Sequence, residues 1–167
     1  MTKPMRYKKQ IAMWTMLCLT LLVVVFIFSN SAKDAPSSSQ QSDKVVEIVR
    51  PPAEVILPII DVEPSVSNIV SIVRKSAHIL EFALLGCMAF WTTLLWTKKT
   101  WVRAVLPIGC SVVTALLDET IQLTSPGRAW QMEDILADCT GVLFGVLFAL
   151  LCAWLLGIVI KKRRKQE

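Results

Sequence analysis

Residues 135–160, ILADCTGVLFGVLFALLCAWLLGIVI, decide the class of this protein. Only Asp138 is charged in this stretch, and about 20 apolar residues are enough to cross the ~30 Å hydrocarbon core of a bilayer. Over the whole 167-residue chain, 54% of the residues are hydrophobic and 19% are charged. A soluble domain usually has about 45–50% hydrophobic residues and about 25% charged residues. The composition therefore excludes an ordinary water-soluble enzyme, and residues 135–160 are predicted to form a transmembrane helix.

Three further segments have the composition of a membrane span. Residues 11–28 contain no charged side chain, and the segments 77–96 and 104–123 are apolar apart from a few ionisable residues near one end. The sequence therefore predicts an all-α integral membrane protein with four transmembrane helices in a small bundle.

Basic residues flank these segments and form no stripe on a folded face. Twelve of the 18 Lys and Arg residues lie before residue 10, within 98–103 or within 161–165. In a four-span arrangement these clusters fall on one side of the membrane, and basic residues accumulate on the cytoplasmic side. Both termini are therefore predicted to be cytoplasmic. The last cluster is interpreted as a contact with anionic lipids, and no nucleic-acid partner is predicted.

These features divide the chain into four predicted parts. Residues 1–28 are a cytoplasmic tail with the first helix, and residues 29–64 are a flexible extracellular loop. Residues 65–160 are a membrane domain, and residues 161–167 are a basic cytoplasmic tail. In the loop, residues 35–43 have the Ser/Gln-rich composition of a flexible linker. Residues 45–64 contain four prolines, which favours an extended chain over a helix. From Ser65 the apolar spacing predicts a helix that continues into the second span.

The first segment has an alternative interpretation as a cleaved signal peptide. Basic residues precede it, and Ser29, Asn30 and Ser31 resemble a cleavage site. Its apolar stretch is longer than the 7–15 residues of a signal sequence, so a retained anchor is predicted; cleavage would leave three spans.

All five cysteines lie within predicted spans and form no Cys-x-x-Cys pair, so neither a disulfide framework nor a thiolate zinc site is expected.

Ionisable residues within the spans identify the candidate site. A charged side chain within a bilayer costs free energy, so an ionisable residue in a span is first interpreted as part of a functional site. At about 1.5 Å per residue, the ionisable groups of the second, third and fourth spans reach one depth in the outer part of the membrane. Helical spacing places Arg74, His78 and Glu81 on one face of the second span. Asp118 and Gln122 share a face of the third span, and Glu119 lies beside them.

The fourth span carries a comparable stripe. Asp134 and Asp138 lie in line with Gly141 and Gly145, whose Gly-x-x-x-Gly spacing permits close contact between helices. The turn before this span contains Arg128, which is predicted to lie over the same layer.

The ordered set of these motifs resembles the VanZ-like family of small bacterial membrane proteins. The matching motifs over residues 70–160 are RKSAH (74–78), EFALLG (81–86), DETIQ (118–122), PGR (126–128) and Asp134, Asp138 and the glycine stripe. The chain departs from the family at Phe82, where Tyr is common, and at Ile121, where many members have His. The resemblance implies a plasma-membrane protein of the cell envelope linked to reduced teicoplanin susceptibility, in a family without an agreed biochemical activity.

Three functions are compatible with this layer. In the first, the layer binds a lipid-linked cell-wall precursor or a lipoglycopeptide at the outer face, among membrane lipids. Cations then clamp a phosphate or carboxylate while the remaining polar groups orient them or contact amines. The ligand-binding residues of this hypothesis are Arg74, Lys75, His78, Glu81, Asp118, Glu119, Gln122, Arg128, Asp134 and Asp138.

The second function is an enzyme acting on a lipid head group. His78 is then the general acid or base, Glu81 or Glu119 its partner, and Arg128 the stabiliser of developing charge. The third is a structural or assembly role, for which no partner protein is identified. No cofactor or metal is predicted, because His78 with scattered carboxylates (Glu81, Asp134 and Asp138) is weak support for zinc and only permits calcium.

Overall fold

The computed structural model describes residues 3–33, 35–126 and 131–163. Over these residues the chain forms five α-helices and one short 3-10 helix, with no β-strand: α1 (Lys3–Ser31), α2 (Ala35–Ile56), the 3-10 helix (Leu57–Ile60), α3 (Val66–Trp96), α4 (Thr100–Leu123) and α5 (Met132–Arg163). Four helical segments are long and apolar enough to cross a membrane, namely Tyr7–Ser31, Val66–Trp96, Trp101–Leu123 and Met132–Gly157. The predicted fold class, all-α with four spans, is confirmed.

The second span begins well before its apolar part. The Ser65 hydroxyl accepts a hydrogen bond from the Asn68 backbone N–H at 3.3 Å and so caps α3. This cap satisfies one of the amide groups that have no partner within the helix. As the apolar spacing predicted, one helix then runs from the loop through the predicted span, and His78 and Glu81 lie in its first half.

Helices α3 and α5 form the closest contact of the bundle. A methyl group added at Gly145 would lie 1.9 Å from the Ala83 carbonyl oxygen, and one at Gly141 would lie 2.3 Å from that of Ile79. Gly86 of α3 lies in the same way against the backbone of α5. The glycines therefore allow two backbones to meet with no side chain between them, and this contact determines which residues of α3 and α5 face each other.

The first helix packs along the same bundle. Ile27 is fully buried in the apolar core with Phe82, and the hydroxyls of Thr20 and Thr92 are 2.8 Å apart. Trp14 makes an edge contact with Trp96 of α3. Through these contacts α1 is joined to α3 over most of its length, and its last turn reaches the end of α4.

The segment between the first two spans differs from the prediction. The region predicted to be a linker followed by an extended chain is the helix Ala35–Ile56, with Pro51 and Pro52 inside it. Val46 is buried with Leu57 and Ile69 in a small apolar cluster of its own. The prediction was wrong because a proline's fixed φ is compatible with a helix, and burial of an amphipathic face outweighs the lost amide hydrogen bonds.

Candidate functional site

The buried acidic residues gather at one end of the bundle, where α1 and α4 end and α5 begins. The side chains of Asp118, Glu119 and Asp138 are almost completely buried, with exposed fractions of 0%, 1% and 1%. Acidic residues are almost never fully buried without a partner, so this set is the candidate site. We call it the polar cluster; its members are Asn30, Ser31, Arg74, His78, Glu81, Asp118, Glu119, Gln122, Asp134 and Asp138.

At the centre of the cluster, three helices each contribute one side chain. Ligand atoms of His78, Asp118 and Asp138 lie within 4.8 Å of one another. The Nδ1 atom of His78 is 3.3 Å from Oδ1 of Asp138, and the two side chains are 11% and 2% exposed. Neither atom has a hydrogen-bond partner among the residues described, because the two groups are close but not aligned for a hydrogen bond. We call these three residues the histidine–aspartate trio.

Asp118 is oriented by two hydrogen bonds from its neighbours. The Ser31 hydroxyl donates to Oδ1 at 2.5 Å, and the Gln122 amide donates to Oδ2 at 2.9 Å. Ser31 is itself tied to the end of α4, because the Ser125 hydroxyl donates to its carbonyl oxygen at 3.2 Å. The last turn of α1 is therefore a structural part of the cluster.

Glu81 is held by the same end of α1. The Asn30 side-chain amide donates to Oε1 of Glu81 at 2.7 Å, and the Lys33 ammonium donates to the Asn30 side-chain oxygen at 2.8 Å. The Lys33 cation, two residues after the end of α1, thus reaches the carboxylate of Glu81 through one intervening amide. These contacts place both Glu81 and Asp118 against residues that the sequence analysis considered only as a cleavage motif.

Glu119 joins the end of α4 to the beginning of α5. Its Oε1 atom accepts a hydrogen bond from the Gln131 backbone N–H at 2.6 Å. Its Oε2 atom is buried and has no partner among the described residues. Glu119 therefore bridges two helices with one oxygen and leaves the other available.

Two cations lie at the rim of the cluster, each beside an acidic residue of α5. A guanidinium nitrogen of Arg74 is 3.7 Å from Oδ2 of Asp134, and the Lys75 ammonium is hydrogen-bonded to Glu133. Both cations are about one-third exposed. Two of the residues predicted to clamp an anion, Arg74 and Lys75, are therefore already in ion pairs, which an anionic ligand would have to replace.

The predicted site residues largely come together. Nine of the ten predicted ligand residues lie in the cluster or, in the case of Lys75, at its rim; the tenth, Arg128, lies outside the described residues. His78 has Asp138 as its ion-pair partner, whereas Glu81 is bonded to Asn30 and Glu119 to Gln131.

Three polar residues at the end of the first span were not among the predicted site residues. Asn30 and Ser31 lie in the last turn of α1, and Lys33 lies just after it. All three directly follow the apolar stretch of this span, so a rise of about 1.5 Å per residue places them at the same level as the acidic residues of the other spans. This position is the sequence signal that identifies them.

Several acceptor atoms in the cluster are buried without a donor. Oδ1 of Asp138, Oδ1 of Asp134 and Oε2 of Glu119 have no hydrogen-bond partner in the described part of the chain. All three residues are more than nine-tenths buried. An unmatched buried carboxylate is unfavourable, so the arrangement is suited to receive hydrogen-bond donors or positive charge.

Comparison with known proteins identifies a protein family whose sequence model matches the chain. A sequence model described as VanZ/LLP1 matches residues 16–155, which includes most of α1 and all of the polar cluster. No curated protein and no solved structure matches the chain.

Proposed function

We propose that this chain, which belongs to the VanZ/LLP1 family, binds a lipid-linked envelope component or a lipoglycopeptide through its polar cluster. In this proposal the protein spans the bacterial plasma membrane several times and presents the cluster at the outer face. Binding there masks a target or the drug itself and lowers susceptibility to teicoplanin. The family resemblance supplies the link to teicoplanin, and the cluster supplies the chemistry.

The observation that carries the proposal is the set of buried carboxylate oxygens without donors. Within the described part of the chain, Oε2 of Glu119 and Oδ1 of Asp134 are such atoms. An amine or hydroxyl of a bound head group would satisfy them and form charge-assisted hydrogen bonds of about 1.5–3 kcal/mol each. A ligand with several hydrogen-bond donors therefore gains more binding free energy here than a ligand that has only hydrogen-bond acceptors.

The surface beside the cluster is suited to an acyl chain. Along α5, Leu143, Phe144, Leu147 and Phe148 are exposed and extend away from the acidic end of the helix. A lipid tail can lie along such a surface while the head group enters the cluster. Polar recognition at one end and an apolar wall beside it together favour an amphipathic ligand over a water-soluble one.

In this proposal the rim cations bind an anionic group of the same ligand. Arg74 and Lys75 are partly exposed, so exchange of their carboxylate partners for a phosphate has a modest cost. Arg128 would add a third cation, and it lies outside the described residues.

The test is drug susceptibility in a host lacking the protein, complemented with wild type, Glu119→Gln or Glu54→Gln at matched membrane levels. Glu54→Gln is the control, because the Glu54 side chain is 48% exposed, pairs with Arg50 within α2 and lies outside the cluster. We expect wild type and Glu54→Gln to protect against teicoplanin and Glu119→Gln to lose protection, with vancomycin, which has no acyl tail, unaffected. Equal susceptibility with and without wild type would refute the proposed function.

A second function, catalysis on a lipid head group, is favoured by one observation. Asp138 lies 3.3 Å from His78 Nδ1, and a carboxylate beside an imidazole can orient it as a general base. The variant His78→Gln separates the two functions, because a catalytic His78 predicts that protection is lost while the acylated ligand still binds. Retained protection in His78→Gln would exclude this second function.

A further inference from the structure

We infer that His78, Asp118 and Asp138 bind a divalent transition-metal ion, with Zn²⁺ as the probe to use first. This inference concerns the histidine–aspartate trio and does not rest on the proposed ligand. It can hold whether or not the protein affects teicoplanin.

Side-chain atoms that can bind a metal ion converge at the trio. α3, α4 and α5 each contribute one side chain, and the three ligand atoms lie within 4.8 Å of one another. One imidazole nitrogen and two carboxylate oxygens form a mixed set, which suits zinc, manganese or iron better than an all-oxygen set does. Three protein ligands also leave a position for water or for an oxygen of a bound molecule.

The contact between His78 and Asp138 also indicates an ion. Nδ1 and Oδ1 are 3.3 Å apart, yet neither atom has a hydrogen-bond partner within residues 3–33, 35–126 and 131–163, and Asp138 is 1% exposed. Two ligands of one ion, at bonds of about 2.0–2.2 Å, are separated by about 3.0–3.5 Å. The spacing and the missing hydrogen bond are thus both explained if an ion lies between the two side chains and Asp118.

Asp118 is supported by hydrogen-bond donors behind it. Ser31 and Gln122 donate to its two oxygens, which fixes the plane of the carboxylate. Metal-binding carboxylates characteristically have hydrogen-bond donors of this kind behind them. Ser31 and Gln122 are thus positioning residues for the ion.

The charge of the cluster also favours a cation. Five carboxylate residues, Glu81, Asp118, Glu119, Asp134 and Asp138, lie in the cluster, where Arg74 pairs with Asp134 and Lys33 reaches Glu81 through Asn30. Buried charges without compensation are strongly unfavourable. A divalent cation at the trio would add positive charge between Asp118 and Asp138.

The experiment uses the full chain, purified in detergent with a tag that contains no histidine and stripped with a chelator. Zn²⁺ is added to wild type, His78→Gln, Asp138→Asn and Asp134→Asn, and bound metal is measured by mass spectrometry and titration calorimetry. Asp134→Asn is the matched control, because Asp134 precedes Asp138 by one turn of α5 and is buried but lies outside the trio.

We expect wild type and Asp134→Asn to bind about one Zn²⁺ per chain and to unfold at a higher temperature when it is present. The two trio variants should bind at least about tenfold more weakly. Because a variant can fail to fold, wild type is also loaded with Co²⁺, whose visible absorption should report nitrogen and oxygen ligands and disappear when Zn²⁺ is added.

Three results would overturn the inference. The first is a folded wild type that takes up neither Zn²⁺ nor Co²⁺ stoichiometrically. The second is an Asp134→Asn variant that loses the ion as fully as the trio variants do, because the effect would then be one of total charge. The third is stoichiometric binding of Ca²⁺ or Mg²⁺ without Zn²⁺, Mn²⁺ or Co²⁺, which would contradict a transition-metal site.

Discussion

At the scale of single residues, the cluster depends on small polar side chains as much as on its charges. Asn30 and Ser31 are uncharged, yet each donates to a carboxylate that lies far along the chain, at Glu81 and Asp118. These donors matter because a buried polar group left without a partner is costly in a medium of low dielectric. The same residues, interpreted from sequence alone, have the composition of a signal-peptide cleavage site.

Removal of the Ser31 hydroxyl should destabilise the protein. Ser31→Ala takes one donor from the buried Asp118, and we expect the free energy of unfolding to fall by about 1–3 kcal/mol. Thermal unfolding of the detergent-solubilised protein measures this. The control is Ser29→Ala, because the exposed Ser29 hydroxyl bonds only to the Val25 carbonyl of its own helix. Equal losses in both variants would contradict a specific role of Ser31.

At the scale of helices, the contact between α3 and α5 determines the geometry of the site. Gly86 faces Val142, and Gly141 and Gly145 face Ile79 and Ala83, so the two backbones are in contact over several turns. His78 directly precedes Ile79 in α3. Close packing of the glycines therefore brings His78 and Asp138 into register, and a shift of one helix by a single residue would separate them.

A methyl group in this contact should disrupt the bundle. Gly145→Ala places a carbon 1.9 Å from the Ala83 carbonyl oxygen, and we expect a loss of about 1–3 kcal/mol or more from overpacking. The measurement is the unfolding temperature together with the yield of monodisperse protein. Gly157→Ala is the control on the same helix, since nothing lies within 4 Å of its added carbon. A Gly145→Ala protein as stable as Gly157→Ala would contradict the contact.

At the scale of the whole molecule, the orientation in the membrane decides which compartment the cluster serves. The cluster lies at the end of the bundle where α1 and α4 finish, on the same side as α2. In a four-span arrangement we expect the basic clusters at 3–9, 98–103 and 161–165 on the other side. By the positive-inside rule, we therefore expect the polar cluster outside and both termini in the cytoplasm.

Reporter fusions test this orientation. A fluorescent protein fused to the C-terminus should fluoresce, whereas alkaline phosphatase should be active when inserted in the segment between α1 and α3 and inactive at the C-terminus. The intact mass of the purified chain should also include residues 1–31, because Asn30 and Ser31 are bonded within the cluster. An active phosphatase at the C-terminus would contradict the predicted orientation, and cleavage after Ser31 would contradict a retained first span.

The sequence by itself determined the fold class, the four spans and most of the acidic residues of the site. The reason is that length, hydrophobicity and the cost of a charge in a bilayer are local properties, so residues such as Asp138 stand out from their neighbours without knowledge of the rest of the chain. The helix α2 could not be predicted in this way, because its apolar face is stabilised by packing against α3 and its prolines argue locally against a helix.

Only the tertiary structure decided which polar residues meet. The partners His78 and Asp138, or Ser31 and Asp118, lie on different helices, and their contact depends on how far each helix is rotated and shifted against the next. The glycines of α3 and α5 determine that rotation through a close backbone approach. The sequence therefore specifies the depth of each polar group, and the packing of the helices specifies its partner.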